Sequence, residues 1–148
     1  MWQKFLKGFF GKNGHRSILQ GKKILIIEDG EGERRFIIRT LEKKGCSVLV
    51  ASEGMTGIQL AKTENPDLIL LDYVMPGIDG REVCVRLKND ETTKSIPIIF
   101  LTGSVTPKNV IDCYEAGAEY YLSKPIDSRM LAQQVEMTLQ YTESELSS

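Results

Sequence analysis

The run LILLDYVMPGIDG, residues 68–80, sets an aspartate, Asp72, at the end of four apolar residues and then breaks into Pro76, Gly77 and Gly80. A short, wholly apolar run bounded by turn residues reads as a strand covered on both faces. Burying an ionised carboxylate without partners costs several kcal/mol or more, so Asp72 is not there for packing. Either it points into solvent at the strand's end or positive charge meets it there.

From Lys22 onward, strand and helix patterns alternate. KILII (23–27), SVLVA (47–51), LILL (68–71), IPIIFLT (96–102) and YYLS (120–123) read as strands. Between them, 33–45 places Phe36, Ile37, Thr40 and Leu41 on one helical face, with Gly45 as its stop. Residues 53–65 put Met55, Ile58 and Ala61 or Lys62 on neighbouring turns before Pro66. A third helix starts near Gly80 with Val83, Cys84 and Leu87, and a fourth follows Pro107 through Val110, Ile111 and Tyr114 to Gly117. The last starts near Ser128 and carries Leu131, Val135 and Leu139, and a polar tail, 142–148, is expected to fray. Five strand patterns alternating with helices predict one α/β domain, doubly wound around a parallel sheet, with helices on both faces.

The composition narrows the function classes. The chain has 148 residues and a formal net charge of -1, which argues against nucleic acid as the main partner. Cys46, Cys84 and Cys113 are scattered, without a CxxC pair, and read as reduced core residues of a cytoplasmic protein. His15 is the only histidine, which leaves no basis for a zinc site or a histidine-dependent triad. No run approaches the roughly 20 apolar residues of a membrane span, and the start carries no convincing signal peptide.

In an open parallel sheet the functional crevice lies at the carboxyl ends of the strands. Here those ends are Glu28-Asp29, Asp72, Thr102-Gly103 and Ser123-Lys124-Pro125. Each has an ordinary reading alone: an acidic pair capping the next helix, a β-branched strand residue, a solvated lysine. Together they bring three carboxylates, a hydroxyl and an ammonium to one crevice if the strands are neighbours. Clustered carboxylates repel and raise one another's pKa values, and an oxygen-preferring divalent cation removes the repulsion. Mg²⁺ suits such a site, because it takes one or two carboxylates, keeps waters and binds phosphate. GxxxxGK[ST] and GxGxxG are both missing, so a nucleotide site would lack its phosphate cradle. The chemistry indicated is phosphoryl transfer, which needs positioning and charge neutralisation.

The acidic pair, LLDYVMPGIDG, FLTG and YYLSKP together make the sequence resemble the receiver domain of two-component response regulators, over about residues 22–141. The resemblance implies a flavodoxin-like sheet of order 2-1-3-4-5 and phosphorelay signalling. A phosphoryl group would pass to Asp72 from a phosphohistidine on a histidine kinase or histidine phosphotransfer protein. Asp29, Asp72 and the Val74 carbonyl match the Mg²⁺ ligands, and Glu28 matches the acid that usually acts through water. Thr102 and the Gly103 amide match phosphoryl contacts. Lys124 matches the ion-pairing lysine, Pro125 the cis-proline that aims it, and Tyr121 the aromatic switch position. The implied protein is a phosphoacceptor rather than an enzyme with a separate substrate. Because the chain stops after its fifth helix, the expected output is contact with a downstream protein target.

Departures from the family pattern bear on the site. The pair is usually Asp-Asp, whereas Glu28 stands first here, and EDGEGE adds Glu31 and Glu33 among glycines. Glu28 keeps a second reading alive, a pseudo-receiver serving as an unphosphorylated interaction scaffold. Val74 and Ser104, flanking the phosphoryl position, supply no charged group to orient water.

Residues 1–21 are a different object. They hold four of the chain's 19 bases and no acid, leaving 15 bases against 20 acids in the remainder. Trp2, Phe5, Leu6, Phe9 and Phe10 share one helical face, ahead of a glycine-containing linker. Such a basic amphipathic segment packs on its own domain, a twin or a partner, lies on an anionic membrane surface through residues 1–10, or stays disordered.

Overall fold

The computed structural model describes residues 17–147; the aromatic segment 1–10 lies outside them, whereas Leu19, near the end of the 1–21 stretch, is buried in the core. The strands are β1 (Lys23–Ile27), β2 (Ser47–Ala51), β3 (Leu68–Asp72), β4 (Ile98–Thr102) and β5 (Tyr120–Ser123). The helices are α1 (Glu31–Glu42), α2 (Gly54–Glu64), α3 (Gly80–Lys88), α4 (Pro107–Glu115) and α5 (Ser128–Ser147). All strand pairs are parallel, in the order β2-β1-β3-β4-β5. That is the doubly wound architecture the alternating pattern predicts.

Side-chain alternation along the strands divides the core into two layers. Leu25, Ile27, Ile69, Leu71, Ile98 and Phe100 pack with Ile58, Val83, Leu87 and Cys113 from α2, α3 and α4. Ile24, Ile26, Leu68, Leu70, Ile99 and Leu101 pack with Ile37 and Leu41 of α1 and with Leu131, Val135 and Leu139 of α5. β3 and β4 are buried along their whole lengths, which explains why they read as continuous apolar runs. Cys46, Cys84 and Cys113 are buried and unpaired, as the spacing suggests.

Several local expectations are corrected. β4 begins at Ile98 rather than Ile96, because Ile96 closes a turn by donating to the Thr93 carbonyl and Pro97 has no N–H to give a ladder. α1 begins two residues earlier than periodicity indicates, at Glu31. Phe36, Met55, Ile111 and Tyr114 face outward, leaving Ile37 and Leu41 of α1, Ile58 and Ala61 of α2 and Cys113 of α4 as buried contacts. α5 continues as helix to Ser147, past the expected fraying point at Thr142, and Glu143 pairs with Lys22 at 2.6 Å. Among the described residues, no helix is long and apolar enough to cross a membrane.

Two glycines shape the chain beyond Asp72. Gly77 has φ +81°, a left-handed conformation that side-chain-bearing residues rarely adopt. At Gly80 a Cβ would collide with the Asp72 carbonyl oxygen, and the Gly80 amide instead donates to the Tyr73 carbonyl at 3.0 Å. The Pro-Gly loop thus folds the start of α3 tightly against the end of β3, with Asp79 capping it by accepting from the Glu82 amide.

Candidate functional site: an acidic crevice at the strand ends

β1, β3, β4 and β5 are successive neighbours, so their carboxyl ends meet. One carboxylate oxygen from each of Glu28, Asp29 and Asp72 lies within 4.8 Å of the others. Glu28 and Asp72 are buried, at 1% and 4% exposure, and Asp29 is exposed at the mouth. Glu28 continues the inward alternation of Ile24 and Ile26, as Asp72 continues that of Leu68 and Leu70. Both carboxylates therefore lie at the end of the layer covered by α1 and α5.

Lys124 supplies the opposing charge. Its Nζ donates to Asp72 Oδ1 at 2.9 Å and lies 3.0 Å from Glu28 Oε1. A third carboxylate, Glu33 Oε1, stands 2.9 Å away. Glu28 Oε1 and Glu33 Oε1 are buried, and the Lys124 ammonium is the cation each of them faces. The Lys124–Pro125 peptide is cis, as the resemblance implies, and the Lys124 amide donates to the Thr102 carbonyl at 2.7 Å.

The protonation equilibria follow from crowding and burial. Burial is the main cause raising the Glu28 carboxyl above its ordinary value, and Asp72 adds to it while Lys124 opposes it. Burial also leads in raising Glu33, with the neighbouring Glu28 adding to the shift. For Lys124, burial by itself would lower the pKa, but Asp72, Glu33 and Glu28 outweigh it and the ammonium is held firmly charged.

Thr102 is buried, and its hydroxyl is occupied locally. It donates to the Ser104 carbonyl at 2.9 Å and accepts from the Ser104 amide at 3.1 Å. Gly103 is exposed, with nothing within 4 Å of where a Cβ would stand, leaving open space beside its backbone. Val74, two residues beyond Asp72, is 74% exposed. Tyr121 is half-buried, stacked on Tyr120 at 5.5 Å and edge-on to Tyr114 at 6.0 Å.

Glu33 is the crevice residue that sequence patterning did not place. It was visible only as added negative charge, although a position in the first turn of the helix following β1 was a usable signal. Arg34 was also missed, and it ties the turn down by donating to the Glu28 carbonyl at 3.0 Å.

A five-stranded parallel sheet of this order, with acids and a lysine gathered at its carboxyl edge, defines the receiver class of signalling domains. The family model for the response regulator receiver domain matches residues 24–136, and the chain belongs to that family, which serves two-component signalling. It is 36% identical over 117 residues to the protein PilH of Pseudomonas aeruginosa, covering 79% of this chain and 97% of that one. It is 39% identical over 109 residues to the response regulator PleD of Caulobacter vibrioides, covering 74% of this chain but 24% of that one. The chain spans 24% to 53% of the length of PleD and the longer transcriptional regulators it also matches. Among solved structures, the receiver domain of a sensor histidine kinase from Pseudomonas aeruginosa superposes with a TM-score of 0.76 at 27% identity, covering 81% of this chain and 98% of that one. That structure holds a magnesium ion coordinated in its active-site cleft.

Proposed function

We propose that this receiver domain works in a phosphorelay, with Asp72 accepting a phosphoryl group from a phosphohistidine on a histidine kinase or histidine phosphotransfer protein. The observation that carries the reading is the 2.9 Å contact of Lys124 Nζ with the Asp72 carboxylate at the end of the central apolar strand. In the transfer, a carboxylate oxygen of Asp72 bonds to phosphorus as the donor's P–N bond breaks. The bonding pair leaves on the imidazole nitrogen. Lys124 then pairs with a phosphoryl oxygen, and Thr102 and the Gly103 amide contact the others.

The crevice fits Mg²⁺. Three carboxylates present oxygens within 4.8 Å of one another, more negative charge than the single Lys124 ammonium balances. Asp29, Asp72 and the Val74 carbonyl would hold the ion directly, with Glu28 assisting. Bound there, Mg²⁺ supplies charge neutralisation for the carboxylates and the phosphoryl oxygens.

The output is a shift of population at the surface formed by α4, β5 and α5. Thr102 turning toward the phosphoryl group would release Ser104 and draw in the loop before α4, with Tyr121 following. Exposed Ile111 and Tyr114 beside that surface suit a downstream protein target. The test is to incubate the protein with acetyl phosphate and Mg²⁺ and map the label by mass spectrometry. Label is expected on Asp72 and lost in Asp72→Asn. An unlabelled wild type would instead favour the unphosphorylated scaffold.

A further inference from the structure

Glu33 turns into the crevice, whereas its neighbour Glu31 takes an ordinary surface arrangement. Glu31 pairs with Arg35 one helical turn on, both side chains largely exposed. Glu33 has Phe36 and Ile37 at the corresponding positions, so its own helix offers it no cation there. Its carboxylate reaches Lys124 at 2.9 Å, matching the Asp72 contact. A first-turn acid also gains from the helix dipole, but that benefit does not require the side chain to point inward.

We propose that Glu33 is a positioning residue that competes with the phosphoryl group for Lys124. The inference rests on the reading of Asp72 as phosphoacceptor. In the resting site the ammonium is shared among Asp72, Glu28 and Glu33. Glu28 and Asp72 are fixed at strand ends, but Glu33 is attached through a helical first turn and retains 27% side-chain exposure. Of the three, Glu33 is therefore the carboxylate that can withdraw toward solvent when a phosphoryl oxygen takes its place on Lys124. Until it does, its charge opposes the incoming anion and its ion pair must be broken. Glu33 thereby sets how readily the phosphorylated state forms without touching the transferred group.

The test uses the full chain at saturating Mg²⁺ with beryllofluoride as the phosphoryl mimic, following the Gly103 amide by NMR. In Glu33→Gln, half-saturation is expected at roughly two- to fivefold lower beryllofluoride than in wild type, the scale of one partly screened ion pair. Glu33→Ala, which cannot hydrogen-bond Lys124, should behave alike, with melting temperatures near that of wild type. Glu31→Gln removes the same charge from the same turn without the contact, and is expected to leave the value unchanged. The inference is overturned if neither Glu33 variant binds more tightly, or if Glu31→Gln gains as much. A wild type that takes up no beryllofluoride would bring down the Asp72 assignment itself, and this inference with it.

Discussion

The Thr102 hydroxyl is closed onto the backbone of Ser104, donating to its carbonyl at 2.9 Å and accepting from its amide at 3.1 Å. A hydroxyl in this arrangement holds the loop after β4 in place, and must give up both bonds to reach a phosphoryl oxygen. On the proposed reading of Asp72 as phosphoacceptor, this one side chain would link the crevice to the loop that leads into α4.

Thr102→Val keeps the β-branched shape and replaces the hydroxyl with a methyl. Because the Ser104 backbone is exposed and can turn to water, the expected loss of stability is about 1 kcal/mol by urea denaturation. The beryllofluoride-induced shifts at the Ser104 and Tyr121 amides should be lost, while Thr102→Ser should retain them. Full shifts in the valine variant would show that the hydroxyl does not couple the loop to the site.

Lys124→Ala leaves Glu28, Glu33 and Asp72 without their shared cation. Allowing for the partial exposure of the lysine, the cost is about 2 kcal/mol. Mg²⁺ should narrow the gap to wild type, since it opposes the same charges. Identical urea midpoints for the two proteins in metal-free buffer would mean that the ion pairs contribute nothing net.

In metal-free buffer, stability should depend on pH through Glu28 and Glu33. Both folded carboxyls titrate above their ordinary 4.5, chiefly because they are buried. The folded state therefore holds more protons than the unfolded chain above that pH. The stability they contribute is full below 4.5 and is lost as pH rises through their raised folded values. Lys124 works at the other end: its contribution is full below 10.5 and is lost as pH climbs through its higher folded value. Urea midpoints measured from about pH 4 upward to about pH 7 should fall, and Glu28→Gln should flatten the slope. A steeper slope in that variant would contradict the assignment.

Gly80→Ala should be the most damaging single-methyl change near the site, because the added Cβ meets the Asp72 carbonyl oxygen and the Tyr73 backbone rather than a flexible side chain. A loss of about 1–3 kcal/mol is expected from such overpacking. Gly103→Ala, with open space around its Cβ, should cost far less. Thermal unfolding of the two variants side by side checks the difference, and equal melting temperatures would refute it.

The sequence by itself determined the layout. The apolar runs of β3 and β4, up to Asp72 and Thr102, read as strands covered on both faces, and β-strand alternation assigns Leu68 and Leu70 to one layer and Ile69 and Leu71 to the other. Glu28, Asp72, Thr102 and Lys124 were legible for the same reason: a polar residue directly after an apolar strand stands at the sheet's carboxyl edge, whatever the details of packing. Helix faces were less legible, as outward-facing Phe36, Met55, Ile111 and Tyr114 show, because a helix can roll to bury whichever stripe its neighbours fit. Only the tertiary structure decided that Glu33 turns inward to Lys124 while Glu31 pairs with Arg35, and that the Thr102 hydroxyl rests on Ser104. Those choices depend on distances between groups far apart in sequence and on which partner lies within reach of a rotatable side chain. Ion pairing and hydrogen bonding act over a few ångströms, and local residue patterns carry no record of separations that only the folded chain creates.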